Sequence, residues 1–322
     1  MDLRRLLTKP VLDGSFPLPL DAPFTFRQAM AETLTSRNLA TLVDRGYLQR
    51  PVQGVYLAAQ AGDSPALRAQ CIALVVPEGA VVCDRHAGWL LGAEMILAPN
   101  EHLALRPITV FRPSGRGRLR NGLVDSGERN LAPSDVVEVN GIPVTTPLRT
   151  ACDLGRTRFP EQAIAALDAM LRLGTFDRDE LLHATQRFRG MRWVTTLRLI
   201  APLADPRSES PGESVLRLRW MEAALPPATP QHEVWLDGRL RAVLDLAEPE
   251  LRYAAEYDGA EWHSSETQVA HDTERRQDLT DADWIIDAFR GEHVFGARAN
   301  ADIVMRQNID RARRRLARRV NL

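Results

Sequence analysis

Three acidic residues near the C-terminal end carry the clearest chemical signal in the chain. Asp245 lies within Arg241-Ala242-Val243-Leu244-Asp245-Leu246-Ala247, and Glu256 and Asp258 lie within Tyr253-Ala254-Ala255-Glu256-Tyr257-Asp258-Gly259. Both runs read as strands, and Glu248-Pro249-Glu250-Leu251-Arg252 between them reads as a turn. With the turn centred between Glu250 and Leu251, facing residues sum to a constant, and Asp245 falls opposite Glu256. Glu256 and Asp258 share a face through the two-residue strand period. Like charges facing one another destabilise a sheet, so their convergence calls for a reason. A hard cation, Mg²⁺ or Mn²⁺, is the simplest one, because it takes carboxylate oxygens and also binds phosphate. Such an ion can polarise a phosphodiester and activate water. The competing reading is a solvated strand face with incidental acids; the neighbouring Val243, Leu244, Leu246 and Ala255 favour a buried hairpin.

The elements that would hold these residues begin at Ser210-Pro211-Gly212-Glu213, which fits a capping box with Pro at the first helical position. A helix from there to about Leu225 is expected. Upstream, Ala201 to Pro211 is rich in Pro and Ser and reads as a boundary. Pro160 to Leu173 is an amphipathic helix that Gly174 would end. His86, beside Trp89 and two leucines, reads as a core or capping histidine.

Nearer the N-terminus, Thr25 to Ala31 reads as a short helix. Thr35 or Ser36 would cap a second, SRNLATLVDRG, stopped by Gly46. Two strand-like runs follow, around Gln53-Gly54. This order describes a winged helix-turn-helix, in which the second helix enters the major groove. Ser36, Arg37 and Asn38 would then face base edges, with Arg45 and Arg50 nearer phosphate. The alternative is a small helical subdomain that never meets DNA.

Composition sets the frame. At 322 residues, 44% of them hydrophobic, the chain has room for two or three domains with real cores. A membrane span and a signal peptide are not expected, and a cytoplasmic location follows. Cys71, Cys83 and Cys152 are scattered and read as core thiols rather than a disulfide or zinc framework. Net charge is −1, so a nucleic-acid partner is not announced by the whole chain. The charge is uneven, though. Lys9 is the sole lysine, and Arg306 to Arg319 is the densest basic run, readable as a solvated helix face or as a phosphate contact.

The C-terminal pattern resembles the very-short-patch-repair-like branch of the PD-(D/E)XK nucleases. The matching residues are Glu213, Asp245, Glu256-Tyr257-Asp258-Gly259, His263 and Asp272-Thr273-Glu274-Arg275. The resemblance implies a restriction-endonuclease-like mixed sheet flanked by helices, with Asp245 and Glu256 as metal ligands and Asp258 near them. It also implies Glu213 as a supporting acid, His263 as general base or acid, and Arg275 as a structural or phosphate-facing partner. The lysine of the family name is absent, with Asp258 in its place. Ile285 to Arg290 would be the closing strand, and its Asp287 is unexpected. The earlier part of the chain, through Gly54-Val55-Tyr56 and Gly141-Ile142-Pro143-Val144-Thr145-Thr146-Pro147, looks like AbiEi-type antitoxins. That likeness implies a DNA-binding N-terminal region, and the combination looks like an actinobacterial fusion of both parts.

The expected fold class is therefore α/β and multi-domain. A winged helix-turn-helix occupies 1–60, an α+β AbiEi-like domain 61–205, and a nuclease-like domain 206–322. The expected function is a metal-dependent DNA endonuclease in repair or phage defence; the alternative is a non-catalytic, antitoxin-like transcriptional regulator that retains a nuclease fold. DNA is the expected partner, a homodimer is open, and no membrane association is expected.

Overall fold

A computed structural model describes residues 6–93, 107–117, 124–259 and 275–320. Its helices and three sheets make a mixed α/β chain that divides into two compact units. One unit comprises Met1–Leu154 with Leu173–Ala184, the other Gly155–Arg172 with Thr185–Leu322.

The first unit opens with β1 (Phe24–Thr25), α1 (Phe26–Ala31), α2 (Ser36–Asp44), β2 (Leu48–Val52) and β3 (Val55–Ala58). The strands form a small sheet in the order β1-β3-β2. Thr25 and Thr35 each cap the helix that follows, with Gln28 and Asn38 completing reciprocal capping boxes. Thr35, not Ser36, is therefore the cap of α2. Gly54 (φ +82°) makes the tight turn between β2 and β3. Leu34, Leu39, Leu42, Phe24 and Tyr56 fill the core beneath.

The rest of this unit comprises α3 (Pro65–Ala73), β4 (Val81–Val82), α4 (Asp84–Leu90), β5 (Ile108–Pro113), β6 (Val124–Arg129), β7 (Val136–Val139), β8 (Ile142–Thr145), α5 (Pro147–Gly155) and α7 (Arg178–Ala184). Its five-stranded sheet runs β6-β5-β4-β8-β7, mixing parallel and antiparallel pairs. Gly127 stands opposite Phe111, and a β-carbon there would come within 2.8 Å of the ring. The missing side chain leaves space for Phe111, over which Arg129 lies 3.8 Å from the ring centroid. His86 accepts a 3.1 Å hydrogen bond at Nδ1 from the Thr109 amide, a positioning role of the kind its sequence context indicated.

The second unit contains α6 (Pro160–Arg172), α8 (Val194–Ile200), α9 (Pro211–Glu222), β9 (Thr229–Leu236), β10 (Arg239–Glu248), β11 (Tyr253–Tyr257), helix α10 over 275–281, β12 (Ile285–Phe289), α11 (Gly291–Val294) and α12 (Ala301–Val320). Helices α6 and α9 are joined by Arg217–Asp168 (2.6 Å) and Arg219–Glu161 (2.6 Å). The Pro- and Ser-rich stretch 201–211 runs through this unit rather than along its edge: the Leu203 carbonyl accepts from Arg217, and the Asp205 amide donates to Asp168. Sequence separation hid this, since the partners lie 14 and 37 residues apart.

The second sheet has the order β12-β11-β10-β9. Leu246 faces Ala255 and Glu248 faces Tyr253, which is the register deduced from the turn. β12 closes the sheet in parallel beside β11. Its unexpected Asp287 has a structural use, accepting from the Tyr253 hydroxyl (2.7 Å) and the Asn308 amide of α12 (2.8 Å). Trp220 of α9 stacks on Tyr253 at 5.6 Å. Val234, Ala242, Leu244, Ala254 and Leu279 form a buried apolar cluster with Trp284 and Ile286 packed against it.

Candidate carboxylate site

The residues singled out in the C-terminal third separate into a group that meets and a group that does not. Continuing the β10–β11 register by one step sets Asp245 opposite Glu256. Asp245 is mostly buried near the open end of the hairpin, and its Oδ2 accepts from the Tyr257 amide at 2.7 Å. Glu256 accepts a charged hydrogen bond from Arg275 of α10, whose guanidinium also reaches the Val243 carbonyl at 3.4 Å. Glu213 sits in the first turn of α9. Ser210 Oγ accepts from the Glu213 amide at 3.2 Å, as a cap should. The Glu213 carboxylate does not complete the box on Ser210: it accepts from the Glu209 amide (2.8 Å) and from Gln231 of β9 (3.0 Å).

Gly212 explains how Glu213 is held near the hairpin. A β-carbon at Gly212 would come within 2.1 Å of the Tyr257 ring, so only glycine allows α9 to begin against β11 at this point. Electrostatics tie the group together. Burial pushes the Asp245 carboxyl up to about 7, the nearby charges of Glu213 and Glu256 push the same way, and the Tyr257 amide and Arg275 oppose them.

Asp258 stands apart. Strand β11 ends at Tyr257, and Asp258 lies beyond it, half exposed, where its carboxylate pairs with Arg290 at 3.2 Å. The two-residue period that put it beside Glu256 stops where the strand stops. His263 and residues 272–274 fall outside the described residues.

The donor set suits a hard cation in kind, since it is made of carboxylates. As arranged here, the Arg275 guanidinium takes the place of one. Arg275 already supplies the positive charge at Glu256, and one Asp245 oxygen is committed to a backbone amide. Among the described residues, no group of three or more His, Cys, Asp or Glu is arranged to hold a metal ion. What the arrangement does is fasten α10 to the sheet through Arg275 and leave one buried acid poised between charge states.

In the first unit, Ser36 and Arg37 are exposed at the start of α2, and Arg45 is exposed at its end. Asn38 is tied to the cap: its Oδ1 accepts from the Thr35 amide at 2.9 Å and hydroxyl at 2.7 Å. Arg50 lies 5.1 Å from the centre of the Tyr56 ring. Sequence reading missed strand β9 and its pairing with β10, which brings Gln231 to Glu213. The signal was present in Asp237-Gly238, whose φ values of +50° and +72° suit a two-residue hairpin turn. The three cysteines are buried thiols, and burial pushes Cys71 and Cys83 up to about 12.

Residues 80–203 match the family described as the AbiEi antitoxin C-terminal domain. Two proteins of Mycobacterium tuberculosis, uncharacterized protein MT2308 (strain CDC 1551 / Oshkosh) and uncharacterized protein Rv2248 (strain ATCC 25618 / H37Rv), are each 30% identical over 280 residues. The alignment covers 87% of this chain and 99% of each relative. The chain belongs to the family of these mycobacterial proteins. Its AbiEi-type segment takes in the five-stranded sheet and continues to α8, so it contributes residues to both compact units. No helix among the described residues is long and apolar enough to cross a membrane.

Proposed function

We propose that the protein is a DNA-binding regulator of the antitoxin type, with a winged helix-turn-helix in residues 24–58. The observation that carries this reading is the AbiEi-type segment at 80–203, preceded by two capped helices and a β-hairpin. Exposed Ser36 and Arg37 at the start of α2 stand where a recognition helix contacts base edges, and Arg45 stands where phosphate would lie. Asn38, held by the cap, orients the first turn rather than reading bases through its carbonyl. The test is binding of the full chain to DNA upstream of its own coding sequence against a scrambled duplex. Arg37→Ala should reduce the preference by about 1–3 kcal/mol, the worth of a good base contact. Asp245→Ala should leave it intact. Equal affinity for both duplexes would end this reading.

The meeting of Asp245, Glu256 and Glu213 favours a second reading, a metal-dependent nuclease. It requires Arg275 to leave Glu256 so that Mg²⁺ or Mn²⁺ can take its place. Asp245 and Glu256 would hold the ion, which would supply Lewis-acid activation of the phosphodiester. Duplex and single-stranded DNA should then be nicked with either metal, and Asp245→Ala and Glu256→Ala should abolish nicking. Absence of nicking in both metals, or nicking indifferent to both substitutions, removes this reading.

A further inference from the structure

Helix α12 carries a surface that neither reading above uses. Residues 311–320 hold six arginines and no acid, in a chain whose 41 basic residues are balanced by 42 acidic ones. The concentration is therefore local, not a reflection of overall composition. At about 100° per residue, Arg314, Arg318, Arg311 and Arg315 fall within about 100° of the helix circumference. The apolar residues Ala301, Met305, Ile309 and Ala312 occupy a different sector and are at most 1% exposed. Arg315 is partly spent, donating to the Asp283 carbonyl at 2.5 Å. The nearby acid Asp310 is taken by Arg313 at 3.4 Å. Arg311, Arg314 and Arg318 are exposed, and among the described residues none of their guanidinium groups has a hydrogen-bond or ion-pair partner.

We propose that Arg311, Arg314 and Arg318 form a docking stripe for the phosphate backbone of duplex DNA. The stripe lies outside the helix-hairpin region and is independent of it. Seven residues of helix span roughly 10 Å, and each strand of a duplex carries one phosphate per about 3.4 Å of its axis, so about three phosphates of one strand lie within reach of the three guanidinium groups. Arginine forks suit phosphate oxygens better than a point charge does. The stripe offers no base-reading element, so its contribution is independent of sequence. An anionic membrane is the weaker partner. A helix that lies in a bilayer surface must present an apolar face, and the apolar face of α12 is buried within its own unit. The exposed large apolar residues of α12 among those described, Ile303 and Leu316, lie on different sides of the helix.

The experiment measures affinity of the full chain for a random-sequence duplex across a salt series. The wild type is compared with Arg311→Ser/Arg314→Ser/Arg318→Ser and with the triple lysine variant. Three lost phosphate contacts should make the slope of log K against log salt shallower by about 2.7. If that contribution vanishes near 1 M salt, affinity at 0.15 M falls on the order of 100-fold. The lysine variant should keep most of the slope. An unchanged slope in the serine variant overturns the proposal, as does equal loss in the lysine variant. Binding to anionic vesicles that the serine variant loses, with its DNA slope unchanged, overturns it in favour of lipid. Thermal melting of all variants shows that folding is retained. Lost discrimination of the upstream DNA with an intact slope effect would end the regulator reading and leave the stripe standing; the converse result would do the reverse.

Discussion

Each unit brings carboxylates and arginines together, and the two clusters are balanced differently. In the first unit, Arg149 pairs with Asp135 and Asp153 at 2.8 Å each, and Arg129 pairs with Asp153 at 2.8 Å and Asp84 at 2.7 Å. Arg149, Asp135 and Asp153 are almost wholly buried, yet every charge has a partner of opposite sign. In the second unit, Arg275 pairs with Glu256, Glu213 rests on the neutral donors Glu209 N–H and Gln231, and Asp245 is left with a carboxyl that holds its proton far above the ordinary range. A buried network in which every charge is paired fixes strands and helices to one another. An unbalanced one stores a charge-dependent cost, which a proton, a cation or a substitution can relieve.

The largest expected effect breaks the fully paired cluster. Arg149→Ala removes the shared partner of Asp135 and Asp153 and leaves two carboxylates buried. Removing one side of a buried pair costs about 3–5 kcal/mol, so the melting transition should fall by many degrees. Chemical denaturation of the wild type and variant measures it. A loss under 1 kcal/mol would mean that water reaches the site and that the two clusters differ less than their burial indicates.

Asp245→Asn should act in the opposite direction. The folded carboxyl titrates near 7, above its ordinary 3.8, so between these values the folded chain holds a proton that the unfolded chain has lost. Stability therefore falls as pH rises through this window, and the full cost is present above pH 7. Asparagine removes the charge and keeps an oxygen to accept from the Tyr257 amide. The variant should be more stable than wild type at pH 8, by about 1–3 kcal/mol after allowing for partial solvent access, and close to it at pH 4. A destabilised variant at pH 8 would show that Asp245 is ionised and satisfied there.

How far each cluster could be read from sequence follows from the range of its contacts. The facing of Asp245 and Glu256 was readable because a short turn and the two-residue strand period fix it locally. The cap at Thr35 was readable for the same reason. Arg275 meeting Glu256 was not, because the contact joins elements 19 residues apart. Neither was Arg149 meeting Asp135, for although Asp153 lies one helical turn from Arg149, Asp135 comes from before strand β7. Asp258 was misplaced because strand length, unlike period, depends on packing: β11 ends where Tyr257 meets Gly212 and β12 ends.

The smallest expected effect sharpens the comparison most, because it changes charge without changing contacts. Glu213→Gln retains an oxygen that can accept from the Glu209 amide, and it removes one of the two negative charges that raise Asp245. The cap of α9 rests on Ser210, which is untouched. Stability at pH 8 should therefore change by less than about 1 kcal/mol, a gain from reduced repulsion partly offset by a weaker neutral hydrogen bond. The Asp245 titration, followed by carboxyl NMR, should move down from about 7 toward the ordinary range without reaching it, since burial is the larger cause. An unmoved titration would mean that Glu213 is screened from Asp245, and that the imbalance of this cluster arises from burial and Glu256 alone.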